Sequence, residues 1–121
     1  MNERPVVAVI DDDESVREAL PDLLYEFGYA AKAFASAHEF LASGLIEQAK
    51  CLILDIAMPR MSGPELQREL SVRGHKIPII FITAHESMRP RVLEQGAVEC
   101  LFKPFSDEAL LKALNKVFGA K

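Results

Sequence analysis

Val-Val-Ala-Val-Ile, from Val6 to Ile10, runs directly into Asp11-Asp12-Asp13. Five apolar residues in a row suit a strand buried on both faces, and carboxylates at its end are costly unless something compensates them. The same arrangement recurs along the chain. Cys51, Leu52, Ile53 and Leu54 lead into Asp55; Ile79, Ile80, Phe81 and Ile82 lead into Thr83; Cys100, Leu101 and Phe102 lead into Lys103-Pro104. If these runs are neighbouring parallel strands, their C-terminal ends converge. Three carboxylates (Asp11, Asp12, Asp55), the Thr83 hydroxyl and the Lys103 ammonium then surround one point, a set that suits a hard divalent cation and a phosphoryl group.

Helix-like segments separate the runs. Val16, Ala19, Leu20, Leu23, Leu24 and Phe27 recur at helical spacing and predict one buried face, with Gly28 as the stop. Pro21 lies inside that segment and predicts a kink or a late helix start. Tyr29 to Phe34 reads as a short, weak strand. Ser36 with Glu39, and Ser62 with Glu65, have capping-box spacing and open two further helices, ending near Gly44 and Gly74. A fourth helix is expected from about Glu86 to Gln95. A fifth should open at Ser106 and bury Leu110, Ala113, Leu114, Val117 and Phe118. The order is (βα) five times, which predicts a doubly wound, five-stranded parallel α/β sheet. Ligands of such sheets bind at the carboxyl ends of strands near a topological switch point.

With 121 residues, half of them apolar and a net charge of −4, the chain reads as one domain over residues 1–121. No basic stripe is evident, so nucleic-acid binding by this domain is not expected. No segment resembles a signal peptide or a membrane span, and a cytoplasmic location is the expectation. Cys51 and Cys100 fall in apolar runs and read as core residues rather than as a disulfide or metal pair.

Each site residue has a simpler reading. Asp13 suits an N-cap better than a ligand. Thr83 alone is an ordinary β-branched strand residue, and Lys103 alone a solvated lysine. As a set, Asp11, Asp12 and Asp55 make a magnesium site, with a backbone carbonyl as a further ligand. With the cation in place, Asp55 becomes a nucleophile toward a phosphoryl donor.

These residues resemble the receiver domain of two-component response regulators, a flavodoxin-like fold. The markers are Val-Ile-Asp-Asp-Asp-Glu-Ser-Val-Arg (residues 9–17), Leu-Asp-Ile-Ala-Met-Pro-Arg-Met-Ser-Gly (54–63), Ile-Thr-Ala (82–84) and Phe-Lys-Pro-Phe (102–105). The stretch from Gly96 to Phe105 is most similar to receivers of nitrogen-fixation and nitrate regulators. The resemblance implies that Asp55 takes phosphate from a sensor histidine kinase or phosphotransfer protein. It also implies that Asp12 and Asp55 hold Mg2+ directly, Asp11 through water, and the Ala57 carbonyl adds a ligand. Lys103 then pairs with the phosphoryl oxygens, and Thr83 moves toward them. The surface of the fourth helix, fifth strand and fifth helix rearranges to address a downstream protein or an output domain. Phosphorylation-dependent homodimerisation through that face is a further expectation.

Two features depart from the family pattern. Cys100 stands where the second switch residue is usually Tyr or Phe, and a thiol cannot swing as a ring does. Phe102 shares its side of the strand but is not the aligned position. Only sixteen residues separate Thr83 from Cys100, and Pro90 is among them, which predicts a short or irregular fourth helix. Ala57 cannot orient a hydrolytic water, whereas His85 can, and His85 is expected to set part of the self-dephosphorylation rate. Two other functions compete with the switch: a receiver-like module that binds without phosphate, and a magnesium phosphohydrolase of the haloacid dehalogenase type. For the latter, Asp11 and Asp13 have the spacing, but no cap insertion follows.

Overall fold

The computed structural model describes residues 4–119. Five strands, β1 (Val6–Ile10), β2 (Ala30–Phe34), β3 (Ala49–Asp55), β4 (Ile79–Thr83) and β5 (Glu99–Phe102), form one sheet in the order β2-β1-β3-β4-β5. All four pairings are parallel. Between them run α1 (Glu14–Glu26), α2 (Ala37–Ala42), α3 (Gly63–Val72), α4 (Arg89–Glu94) and α5 (Asp107–Phe118). The expected (βα)5 order and doubly wound sheet are present.

Side chains alternate across each strand, so one apolar run supplies two cores. Val7, Val9, Cys51, Ile53, Ile80 and Ile82 pack on one face against Leu20 and Leu24 of α1 and Leu110 and Leu114 of α5. Ala8, Ile10, Leu52, Leu54 and Phe81 pack on the other face with Phe40 of α2, Leu66 and Leu70 of α3, and Val92 of α4. Cys51 and Cys100 lie in opposite cores as free thiols, which separates them physically.

Local chemistry sets the helix ends. Asp13 caps α1 by accepting from the Ser15 N–H. Ser62 and Glu65 close a complete capping box on α3. At α2 the box stays open: Ser36 accepts from the Glu39 N–H, but Glu39 turns back to the Ala35 N–H instead. Four helices end before glycines in the left-handed region, at Gly28, Gly44, Gly74 and Gly96.

Several expectations need correction. Of the two outcomes that Pro21 allowed, a kink or a late start, the late start does not occur: the Asp13 cap fixes the first turn, and the helix continues through Pro21 to Glu26. Ala19, expected on the buried face, is exposed, because the stripe that reaches the sheet narrows to Leu20 and Leu24. Val117 and Phe118 are only partly covered, packing at the margin of the core, where the Phe118 ring meets Tyr29 at 4.9 Å between centroids. The fourth helix divides as expected of a short, proline-containing segment: a 3-10 turn (Glu86–Met88) precedes six α-helical residues with Pro90 near their start.

Candidate functional site

Strand β1 lies between β2 and β3: the chain steps outward from β1 to β2 and then crosses back over β1 to β3, so the switch point falls between β1 and β3. Ile10 is in register with Leu54, which places Asp11 and Asp55 side by side at the strand ends. On the other side, Thr83 is in register with Phe102, which brings Lys103 to the same edge. The Lys103 N–H donates to the Thr83 carbonyl at 2.8 Å, and the Lys103-Pro104 peptide is cis.

Asp11, Asp12 and Asp55 each offer a carboxylate oxygen, all within 4.8 Å of one another. Asp11 is fully buried and Asp55 nearly so, while Asp12 is open to solvent. The Lys103 Nζ sits 2.7 Å from Asp11 Oδ2 and 3.8 Å from Asp55 Oδ2. The first contact is a buried ion pair in which the ammonium serves Asp11 Oδ2, while Asp11 Oδ1 accepts from the Asp13 N–H. Three carboxylates gathered around one point beside a single ammonium fit a hard cation with oxygen ligands. The donor set therefore suits Mg2+, with Ala57 on the exposed loop just beyond Asp55.

Electrostatics agree with the geometry. Burial, then the Asp11 charge and a hydrogen bond shared with Asp11, raise the Asp55 carboxyl well above the ordinary range. Lys103 and the Ala57 amide oppose this without reversing it. Burial pulls the Lys103 ammonium down, but contact with Asp11 and the charges of Asp55, Asp11 and Asp13 more than offset it. The pocket thus carries more negative charge than one lysine neutralises, an imbalance that a divalent cation removes.

Two backbone features shape the loop beside Asp55. The Gly63 N–H donates to the Ile56 carbonyl at 2.9 Å, folding the β3–α3 loop tightly over Asp55. A Cβ on Gly63 would lie 2.8 Å from Phe81 Cε1 and closer still to the Asp55 carbonyl. Arg60, at φ 71°, turns the same loop outward.

Thr83 is buried, and its hydroxyl accepts from the His85 N–H at 3.0 Å. His85 itself is exposed at the start of the 3-10 turn. Cys100 is packed in the core beside α4, while Phe102 is half-buried next to Thr83 in register. Asp13 stands apart from the trio as a helix cap, its carboxyl lowered by bonds from the Ser15 hydroxyl and N–H.

Two groups of polar residues escaped the sequence reading. Arg17 Nη1 donates to the Asp11 carbonyl at 3.0 Å, tying the β1–α1 loop to the first helical turn. Its signal was its place one turn beyond the acidic cluster. Glu99 accepts from Arg89 Nη2 and from Lys116 Nζ, both at 2.7 Å, and from the Cys100 N–H. Burial opposes this charge, but Lys116, the Cys100 amide and Arg89 outweigh it and hold the carboxyl down at about 2. No local pattern links residues so far apart in sequence.

The family model for the response regulator receiver domain matches residues 7–115. The chain belongs to this family. As a receiver domain it is 42% identical over 112 residues to the response regulator protein TodT of Pseudomonas putida, covering 91% of this chain and 49% of TodT. It is 39% identical over 121 residues to the transcriptional regulatory protein FixJ of Azorhizobium caulinodans, covering 98% of this chain and 57% of FixJ. The chain thus spans about half the length of the curated relatives it matches. Among solved structures, the receiver superposes on response regulator StyR with a TM-score of 0.85 at 46% identity, covering 95% of this chain and 59% of StyR. The crystal structure of FixJ-N gives 0.82 at 35% identity, with 97% and 94% covered. Among the described residues, no helix is long and apolar enough to cross a membrane.

Proposed function

We propose that this receiver domain is a cytoplasmic phosphorylation switch in which Asp55 takes a phosphoryl group from the phosphohistidine of a sensor kinase or phosphotransfer protein. The observation that carries the reading is the buried Asp55 carboxylate, set among two further carboxylates and the Lys103 ammonium at the switch point. In the transfer, an Asp55 oxygen attacks phosphorus, the P–N bond to the donor imidazole breaks, and the freed imidazole takes up a proton from solvent. Mg2+ held by Asp11, Asp12, Asp55 and the Ala57 carbonyl supplies positive charge to the phosphoryl oxygens. Lys103 supplies the rest: its ammonium is 3.8 Å from Asp55 and needs little movement to pair with a phosphoryl oxygen. Self-catalysed uptake and loss of the phosphoryl group are the only chemistry proposed.

Beside Lys103, an open groove of about 780 Å3 runs between α1 and the segment leading into α5. Val16, Leu20, Leu23 and Phe105 give it an apolar floor, and Asp22, Glu26 and Asp107 an acidic rim. It is the docking surface proposed for the phosphodonor, since a helix seated there reaches Asp55 past Lys103.

The switch begins at Thr83. Its hydroxyl turns to donate its proton to a phosphoryl oxygen, and that movement releases the His85 N–H, frees the start of the 3-10 turn and moves the α4–β5–α5 face toward a downstream protein, an output domain or a second copy. Cys100 cannot provide the ring movement expected of this fold, so the displacement passes through the backbone between Thr83 and Arg89. Asp13 is a helix cap, which argues against the hydrolase spacing of Asp11 and Asp13.

Intact mass after incubation with acetyl phosphate tests the reading. One phosphoryl adduct is expected, dependent on both Mg2+ and Asp55 and absent from Asp55→Asn. A folded protein without an adduct would leave the phosphate-independent binding module as the better description. His85→Ala is expected to change the rate of phosphate loss; an unchanged rate removes His85 from the water-orienting role.

A further inference from the structure

The end of the sheet opposite Asp55 carries a feature that phosphoryl chemistry does not use. Three open concavities of about 780, 430 and 790 Å3 lie along it. The first and second share Lys76, Ile77 and Pro78; the second and third share Glu47, Lys50 and Pro78. They adjoin at these shared residues and together follow one line, a segmented trough, from α3 past the start of β4 to the end of α5.

Its charge runs against that of the whole protein. The chain has 14 Lys and Arg against 18 Asp and Glu. Among the described residues the trough is lined by Arg4, Lys50, Arg68 and Lys76 against a single acid, Glu47. Lys50, Arg68 and Lys76 form no ion pair among the described residues, whereas Arg73, Arg89, Lys103 and Lys116 all do. Arg4 is held in place by its stack on the Tyr25 ring, 3.9 Å from the centroid, and by its bond to the Tyr25 carbonyl. The floor is apolar: Ile46, Ile77, Pro78, Val117 and Phe118 contribute to it. The part-exposure of Val117 and Phe118 at the end of α5 belongs to this surface.

We infer that this trough binds an extended acidic polypeptide segment of a partner protein, with carboxylates meeting Lys50, Arg68 and Lys76 and alternate apolar side chains meeting the floor. Charge complementarity selects the occupant. An extended chain places successive side chains on opposite sides, so alternating acidic and apolar residues match a cationic rim over an apolar floor. A nucleic acid fits less well. Its affinity comes from many phosphate contacts, and here few cations stand on a body of net charge −4. The site is independent of Asp55, which lies at the other end of the strands.

The test uses a fluorescein-labelled peptide of alternating glutamate and leucine, read by fluorescence anisotropy against the whole chain, with amide chemical shifts to locate it. Saturable binding that weakens with salt is expected, with shifts centred on Ile77, Lys76 and Lys50. Lys50→Glu/Lys76→Glu should weaken it about tenfold or more, because two attractions become two repulsions. The milder Lys50→Gln/Lys76→Gln should weaken it less. Both variants should take up phosphate from acetyl phosphate as the wild type does, since neither position touches the Asp55 site. Unchanged affinity on charge reversal, shifts that map elsewhere, or equal binding of a labelled single-stranded oligonucleotide would each overturn the inference.

Discussion

Replacing Asp55 with asparagine is expected to raise the melting temperature of the metal-free protein, although the residue is the proposed phosphoacceptor. At an effective dielectric constant of about 20, the Asp11 and Asp55 charges, within 4.8 Å of one another, repel by roughly 3.5 kcal/mol. The Lys103 ammonium at 3.8 Å returns about 4 kcal/mol to Asp55 on the same scale. Asp12 is exposed, and screening reduces its repulsion to less than about 1 kcal/mol. These terms nearly cancel, so the cost of burying a carboxylate decides the sign, and the raised Asp55 carboxyl agrees. Discounting for solvent reaching the crevice, Asp55→Asn should gain about 1–2 kcal/mol, or roughly 5 °C in a domain of this size. The pH dependence has a definite sign. A carboxyl raised above its unfolded value lowers stability progressively as pH rises between the two values. The advantage of Asp55→Asn should therefore grow from about pH 4 to about pH 7 and level off above that. Saturating Mg2+ should stabilise the wild type and narrow the gap, because the variant has lost a ligand. Thermal melts in EDTA and in Mg2+ across that pH range measure all three effects. A variant that melts below wild type in EDTA, or gains as much from Mg2+, would refute the charge-crowding argument.

Three other outcomes follow from the same geometry. Gly63→Ala should cost about 2–3 kcal/mol, because the new methyl meets the Asp55 carbonyl and the Phe81 ring; denaturant unfolding checks it, and slower labelling by acetyl phosphate should accompany it. Glu99→Gln should destabilise by roughly 0.5–1 kcal/mol at neutral pH, the modest size reflecting partners that are 43% and 55% exposed. The Glu99 carboxyl is depressed to about 2, so its contribution is present above the ordinary value of 4.5 and fades as pH falls below it. The difference between wild type and Glu99→Gln should shrink over that interval and in high salt. Burial pushes the Cys51 thiol to about 12 and the Cys100 thiol to about 11, so neither should react quickly with Ellman's reagent near pH 8, while both should titrate at once in denaturant.

The sequence alone determined the fold and the acidic site. Apolar runs of strand length, caps at Asp13, Ser36, Ser62 and Ser106, and glycine stops are short-range signals, readable because each depends on residues a few positions apart. Asp11, Asp55, Thr83 and Lys103 were legible for the same reason: each ends a strand, and parallel register carries strand ends to one edge. Tertiary structure decided what packing alone can set. It exposed Ala19, joined Glu99 to Arg89 and Lys116, turned Arg17 onto the Asp11 carbonyl, and rested the Thr83 hydroxyl on the His85 N–H. It also gathered Lys50, Arg68 and Lys76 along one trough. Apart from the local turn between Thr83 and His85, those contacts join residues whose separation in sequence bears no period, so their geometry exists only once the sheet and its helices have closed around one another.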